Sequence, residues 1–312
     1  MTKLYAIHVE NLKKIYRNDS SSQKLALDNI TLRIPKGSIF GLLGPNGAGK
    51  STFINILADL VKKSSGKVNI LGVDHEKDLK KVKSLMGIVP QELNIDPFFT
   101  PYELLEIQAG LYGVRREDRR TNEILNMLFL SDKADAYART LSGGMRRRLL
   151  IAKALVHSPE MLILDEPTAG VDIDIRTSVW NYVRLINSKG TTVCLTTHYL
   201  EEAENLCDTI SIINFGKKII EGSKKELLNI ISTKSVSFVL DKSFSIPEEL
   251  KQFKPSLRDN ILKLNYDKNN TNIREIIDIL TRNQIKYKEI NTFEGDLEDV
   301  FIKVVKDNDI SN

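Results

Sequence analysis

The densest chemistry in the chain lies in nine consecutive residues, Gly44-Pro-Asn-Gly-Ala-Gly-Lys-Ser-Thr52. Their spacing is that of a phosphate loop, with the apolar run Ile39–Leu43 before it and a helical pattern, Phe53–Leu60, after it. Glycines let backbone N–H groups curl around a polyphosphate, and the start of the following helix adds the positive end of its dipole. Lys50 is placed to reach the β- and γ-phosphates, and the Ser51 hydroxyl to ligate Mg²⁺. Gly44, Pro45, Asn46, Gly47, Ala48, Gly49, Lys50, Ser51 and Thr52 are all candidate nucleotide-binding residues.

A second acidic element should face this loop. Met161-Leu-Ile-Leu-Asp165-Glu166 reads as a buried strand that ends in two carboxylates. Asp165 at the strand end can hold Mg²⁺. Glu166, one residue on, can orient or deprotonate a water that attacks the γ-phosphate. A third element is Leu141-Ser-Gly-Gly-Met145. Ser142 can cap the helix that follows, and Gly143 and Gly144 leave its first N–H groups open to an anion. One chain rarely needs two such cradles. The second is best explained by a nucleotide held on another subunit.

The elements that must carry these groups follow from the hydrophobic pattern. Candidate strands are Ile30–Ile34, Ile39–Leu43, Val68–Leu71, Met86–Pro90, Met161–Asp165, Thr192–Thr196 and Ile210–Asn214. Helical patterns between several of them predict an α/β domain with a largely parallel sheet, and residues 5–14 add an antiparallel edge. From about Glu92 to Pro159 the pattern is helical. Thr100-Pro-Tyr-Glu103 predicts a capping box with Pro at the first helical position. This stretch reads as a helical subdomain inserted into the core. Residues 231–312 read as a small α+β appendage, with strands at Val236–Leu240, Ile261–Leu264 and Ile285–Ile290 and helices at Ile273–Asn283 and Leu297–Val305. Leu297, Val300, Phe301 and Val304 share a helical face that either packs on the protein itself or meets a partner.

Composition narrows the class. The chain has 312 residues, 41% hydrophobic and 28% charged, which excludes collagenous, disordered and membrane-embedded readings. A net charge of +4 is no nucleic-acid footprint, so no nucleic-acid partner is expected. Two cysteines, Cys194 and Cys207, make no disulfide framework and fit a reducing compartment. Cys194 falls in a buried strand pattern and reads as inert. The N-terminus lacks a signal-peptide pattern, and no apolar run approaches the ~20 residues that span a bilayer. His8, His75 and His157 show no metal-ligand spacing. Arg146, Arg147 and Arg148, like Arg115, Arg116, Arg119 and Arg120, read as a solvated helix face.

Taken together, the motifs resemble those of the nucleotide-binding subunits of ABC (ATP-binding cassette) transporters. Leu141-Ser-Gly-Gly is similar to the family's signature motif. Gln91 matches its Q-loop glutamine, Ala169-Gly-Val-Asp172 its D-loop, His198 its switch histidine and Tyr16 the aromatic that stacks on adenine. The resemblance spans residues 3–225. Phe98–Gly113, Met145-Arg-Arg-Arg148 and Thr197-His-Tyr-Leu-Glu-Glu-Ala203 look most like single-cassette exporters, and among these like the YadG-like bacterial subunits. Leu297-Glu-Asp-Val-Phe301 resembles the C-terminal extension common in that group. The signature continues with Met rather than Gln, and the D-loop reads Ala-Gly-Val-Asp rather than Ser-Gly-Leu-Asp. No catalytic position is replaced.

The resemblance implies a P-loop NTPase core at residues 1–230, with its helical subdomain at about 92–159, and a C-terminal accessory domain at 231–312. It implies ATP and Mg²⁺ as ligands. Lys50, Gln91, Glu166 and His198 would carry catalysis. Ser51, Gln91 and Asp165 would hold the metal, and Tyr16, Ser142, Gly143, Gly144 and Asp172 would complete the nucleotide site. It further implies a head-to-tail homodimer closed by ATP and a separate polytopic permease subunit, at the cytoplasmic face of the membrane. The alternatives are a soluble ATPase of the same family acting on ribosomes or DNA, and a binding module without turnover. Ribosome-acting members usually carry two cassettes, and DNA-repair members insert a long coiled coil. One cassette with a short insertion favours the exporter, and Glu166 with His198 favours turnover.

Overall fold

A computed structural model describes residues 5–17, 23–170, 173–230, 233–241, 245–267, 270–293 and 296–309. The chain forms two compact units, residues 1–223 and 224–312. The first begins with β1 (Tyr5–Arg17) and β2 (Gln23–Pro35), which pair antiparallel over most of their length. Then come β3 (Ile39–Leu43), α1 (Lys50–Leu57), β4 (Ser65–Ile70), β5 (Val73–Asp74), α2 (Leu79–Leu85) and β6 (Met86–Val89). The helical stretch supplies α3 (Pro101–Leu111), α4 (Thr121–Met127) and α5 (Gly143–Leu155). The unit closes with β7 (Met161–Asp165), α6 (Ile173–Ser188), β8 (Thr192–Thr197), α7 (Leu200–Leu206), β9 (Thr209–Asn214) and β10 (Lys217–Ser223).

Two sheets build this unit. One has the order β10-β9-β3-β8-β7-β6 and is parallel except for β10. Strands β3, β7 and β8 are buried along their whole length, which is why they read as unbroken apolar runs. The other sheet, β2-β1-β4-β5, is antiparallel. The segments Ile30–Ile34 and Val68–Leu71 belong to it, and not to the parallel sheet expected for them. β2 turns straight back on β1, and β4 pairs with β1's other edge, so both are drawn to antiparallel partners. A single core joins Ile7, Leu12 and Leu32 of this sheet to Phe40 and Leu42 of β3, Phe53 and Ile56 of α1, and Ile163 of β7. Helix α1 is therefore fixed by packing on its apolar side, and that holds the loop ahead of it in place.

No strand occurs between β6 and β7. Helix α3 starts with a full capping box, with Glu103 N donating to Thr100 Oγ1 at 3.2 Å and Thr100 N to Glu103 Oε2 at 2.9 Å. Among the described residues no helix is long and apolar enough to cross a membrane. Both cysteines are free and buried, and burial pushes the Cys194 thiol up to about 12.

The second unit holds α8 (Lys224–Leu228), β11 (Thr233–Leu240), β12 (Ser256–Arg258), β13 (Ile261–Asp267), α9 (Ile273–Arg282), β14 (Tyr287–Phe293) and α10 (Leu297–Asp309). Its sheet is antiparallel in the order β12-β13-β11-β14. Val236, Phe238, Leu262 and Leu264 of the sheet pack with Ile276 and Leu280 of α9. The units part at Ser223 rather than after Ile230, because α8 packs with α10 of the second unit.

Candidate nucleotide site

The site grows from the end of β3. Each glycine that follows has its own steric reason. A Cβ on Gly44 would lie 2.4 Å from the Ile213 carbonyl oxygen. Gly49 has φ +110°, and its Cβ would lie 2.7 Å from the Ala26 oxygen. Gly49 is also the N-cap of α1 and offers no side chain to the helix. The first N–H groups of any helix lack intrahelical partners, so here they stay open to an anion. Ala48 is buried behind the loop, where its carbonyl accepts from Gly216 N at 2.9 Å.

Lys50 sits at the first turn of α1 with its ammonium folded onto the loop. Its Nζ donates to Gly44 O at 2.7 Å and Pro45 O at 3.3 Å, and lies 3.7 Å from Glu166 Oε1. Burial pushes the amine's pKa down, and the Glu166 and Asp165 carboxylates pull against that. A buried cation held only by carbonyls and a carboxylate is well suited to an incoming phosphate.

Glu166 is the hub. Its Oε2 accepts from Gln91 Nε2 at 3.1 Å and lies 3.2 Å from His198 Nδ1, while Oε1 faces Lys50. The backbone here is left-handed, with φ 46° on a residue that is not glycine. Such strain costs about 1–3 kcal/mol and persists only where neighbours enforce it. β8 does so, since Glu166 N donates to Thr196 O and to Thr196 Oγ1, both at 3.1 Å. Thr196 Oγ1 in turn donates to Asp165 Oδ1 at 2.5 Å. Burial raises the Asp165 pKa, and the Thr196 hydroxyl opposes the rise.

Around this hub the protein leaves a cavity of about 290 Å³. Tyr16, Pro45, Asn46, Gly47, Gly49, Lys50, Ser51, Thr52, Gln91 and Glu166 line it. So do Lys24, Leu25 and Ala26, which the sequence reading missed. Register explains them: Tyr16 pairs with Lys24, and Ile15 with Leu25, across the β1–β2 hairpin. Ser142, Gly143 and Gly144 do not line this cavity. They form the start of α5, where Ser142 Oγ accepts from Met145 N at 3.3 Å. A Cβ on Gly143 would meet nothing within 4 Å. Asp172 lies outside the described residues.

Ser51, Asp165 and Gln91 offer oxygen atoms and a single carboxylate. Among the described residues no group of three or more His, Cys, Asp or Glu could hold a metal alone. That donor set fits Mg²⁺, which keeps waters and binds through one or two carboxylates plus substrate phosphates.

Two further groups near the site were not expected. Arg147 is 2% exposed, so the solvated face read for Arg146–Arg148 is wrong. Its Nη1 and Nη2 donate to Pro90 O and Gln91 O, each at 2.8 Å. Arg147 shares a helical face with Leu150, Ile151 and Ala154, and that spacing is the signal for its burial. Glu202 of α7 is fully buried, and burial raises its pKa. Its Oε1 accepts from Thr168 Oγ1 at 2.9 Å and from Trp180 Nε1 at 3.1 Å. Glu202 lies one turn before Leu206 on the buried side of α7, a weaker clue than a motif.

Comparison with known proteins gives a consistent result. The family model described as "ABC transporter" matches residues 27–169. The chain is 41% identical to the linearmycin resistance ATP-binding protein LnrL of Bacillus subtilis (strain 168) over 223 residues, 71% of this chain and 70% of that one. It is 39% identical to the Nod factor export ATP-binding protein I of Cupriavidus metallidurans over 225 residues, 72% of this chain and 73% of that one. The daunorubicin resistance ATP-binding protein DrrA2 of Streptomyces coeruleorubidus is 37% identical over 249 residues, 79% of this chain and 76% of that one. Among solved structures, the dimeric post-hydrolysis state of the ATP-binding cassette MJ0796 bound to ADP and Pi superimposes with a TM-score of 0.62 at 28% identity. It covers 70% of this chain and 98% of that one.

Proposed function

The chain belongs to the ABC transporter family, and from that membership we propose that it binds and hydrolyses ATP to power an exporter through a separate membrane subunit. The observation that carries this reading is the Glu166 hub. One carboxylate lies within 3.7 Å of Lys50, 3.1 Å of Gln91 and 3.2 Å of His198, at the mouth of the phosphate loop.

ATP enters with its base against Tyr16 and its phosphates along Gly44–Thr52. Lys50 leaves the Gly44 and Pro45 carbonyls for the β- and γ-phosphates. Glu166 orients a water toward the γ-phosphorus and accepts its proton. His198 contacts the γ-phosphate and, with Gln91, holds the Glu166 carboxylate in line. Ser51, Asp165 and Gln91 would hold Mg²⁺, which would supply positive charge to offset that of the phosphates. The strained backbone at Glu166 keeps the carboxylate aimed before substrate arrives.

Two copies close head to tail. Ser142, Gly143 and Gly144 of each present an open helix start to the γ-phosphate held by the other. The open space around Gly143 supports this, since no described residue would crowd a Cβ there. ATP then binds the closed dimer better than the open one and shifts the population toward it, and loss of the γ-phosphate releases it. The helical stretch of about 92–159 passes this motion to a polytopic permease at the cytoplasmic face of the membrane. The cassette is the first unit, residues 1–223, and the second unit, residues 224–312, is an accessory domain. Among exporters, the Phe98–Gly113, Met145–Arg148 and Thr197–Ala203 segments together favour the single-cassette type, and within it kinship with the YadG-like subunits.

The test is phosphate release by the purified protein and by Glu166→Gln. We expect the variant to lose turnover by about 10²–10⁴-fold, bind ATP as before and accumulate as an ATP-bound dimer on gel filtration. Near-normal turnover in the variant would refute the role given to Glu166.

A further inference from the structure

Helix α5 does more than present Ser142 and Gly143. Its three arginines fasten it in three directions. Arg146 Nε donates to Leu141 O at 3.0 Å, and Arg148 Nη1 to Leu128 O at 2.9 Å and Phe129 O at 3.0 Å. Only Arg147 turns inward to the site. Its two terminal nitrogens grip the consecutive carbonyls of Pro90 and Gln91, just past the end of β6. A planar guanidinium with two terminal nitrogens suits two adjacent acceptors, whereas a lysine ammonium satisfies them poorly. Burial works against the charge on Arg147, and Glu202 and Asp165 are the carboxylates that favour it. Its Nε is buried and has no hydrogen-bond partner among the described residues, so the cation is held mainly by this fork.

The fork fixes the backbone of Gln91, and the side chain of the same residue reaches Glu166 at 3.1 Å. The path from the start of α5 to the hub is therefore short and continuous. It runs one turn along the helix to Arg147, through the Gln91 backbone to its amide, and on to the Glu166 carboxylate. Apart from the covalent stem of Gln91 itself, every link is a hydrogen bond or a helix turn. We propose that Arg147 is a positioning residue that ties the chain's own hydrolytic centre to the helix start it lends to the partner's ATP. It makes the two ends move together, so the state of one ATP site is felt at the other. This rests on the ATP-closed dimer proposed above.

Coupling of that kind is read as cooperativity, since two linked sites can raise the Hill coefficient toward two. The experiment compares the steady-state ATPase of the full-length protein with Arg147→Lys and Arg147→Met. Binding of ATP to each and thermal melts serve as controls. Arg147→Lys keeps the buried charge and loses the fork. We expect the wild type to show a Hill coefficient above about 1.5, and Arg147→Lys to fall to about 1 with kcat down roughly tenfold. Its intrinsic ATP affinity and melting temperature should stay near wild type. Arg147→Met should show the same loss of cooperativity. The proposal is overturned if both variants keep the wild-type Hill coefficient and kcat. It is equally overturned if the wild type hydrolyses ATP with a Hill coefficient of 1, an outcome that leaves the ATPase reading intact. Loss of ATP binding and of thermal stability together in Arg147→Lys would mark a merely structural arginine and also sink it. A wild type that neither binds nor hydrolyses ATP would instead overturn the functional reading beneath it.

Discussion

Two helix starts in the cassette, at Gly49 before α1 and at Gly143 in α5, use glycine for opposite reasons. At Gly49 the molecule itself demands it: φ is +110° and the Ala26 oxygen would lie 2.7 Å from a Cβ. The start of α1 is walled by Tyr16, Lys50 and Glu166 and encloses a cavity. At Gly143 the backbone is helical, the surroundings are open and the helix already has its Ser142 cap. One start is complete within the chain. The other has a glycine that no described residue requires, which is what a surface shaped for something outside the chain looks like.

Substitutions can break this contrast or sharpen it. The largest effect should come from Lys50→Ala at the enclosed start. Losing charged contacts to two phosphates should weaken ATP binding about 100-fold, or about 3 kcal/mol, by calorimetry. Unchanged affinity would count against the phosphate-loop reading. Next comes Gly49→Ala, which we expect to cost about 2–3 kcal/mol of folding stability in a denaturant titration, from positive φ and the Ala26 contact. Gly143→Ala should behave in the opposite way. Its fold should be as stable as wild type or up to about 1 kcal/mol better, because alanine favours a helix. In a Glu166→Gln background, however, its ATP-driven dimer should weaken by about tenfold, or about 1.4 kcal/mol, by analytical ultracentrifugation. Equal stability losses at the two glycines would erase the distinction.

The smallest effect concerns pH at the enclosed start. Burial holds the Asp165 pKa above its ordinary value of 3.8. The folded chain then binds that proton more tightly than the unfolded one, so stability falls as pH rises from about 3.8 through the folded-state pKa. Asp165→Asn removes this cost. Without nucleotide it should melt above wild type at pH 7.5, and the difference should vanish as pH approaches 4. A difference that grew toward acid pH would reverse the sign and contradict the burial argument.

Much of the site could be read from sequence because its signals are local. Gly44–Thr52 is legible because its phosphate-loop spacing is contiguous, although the atoms that demand Gly44 and Gly49 belong to Ile213 and Ala26, and the run Met161–Asp165 announces a buried strand that ends in acid. Thr100 and Glu103 cap a helix through bonds three residues apart. What the sequence hid depends on partners far along the chain. Ile30–Ile34 and Val68–Leu71 read as strands, yet only their pairing with β1 sends them to a separate antiparallel sheet. Lys24, Leu25 and Ala26 reach the cavity through hairpin register. Arg147 and Glu202 carry charge, which argues for solvent, and only helix packing turns them inward. Thr196 matters through Asp165 and the Glu166 backbone, thirty-one and thirty residues away.

Trp180 has a further use. It is the only tryptophan in the chain, and its indole N–H ends on Glu202, which also holds Thr168 two residues beyond Glu166. The molecule thus carries a single tryptophan wired to the segment that follows the Glu166 carboxylate. Any rearrangement of that segment during turnover should alter the polarity or bonding of the indole and change its emission. The unlabelled protein can therefore report its own cycle in a stopped-flow cell, with no dye attached and no competing tryptophan to subtract.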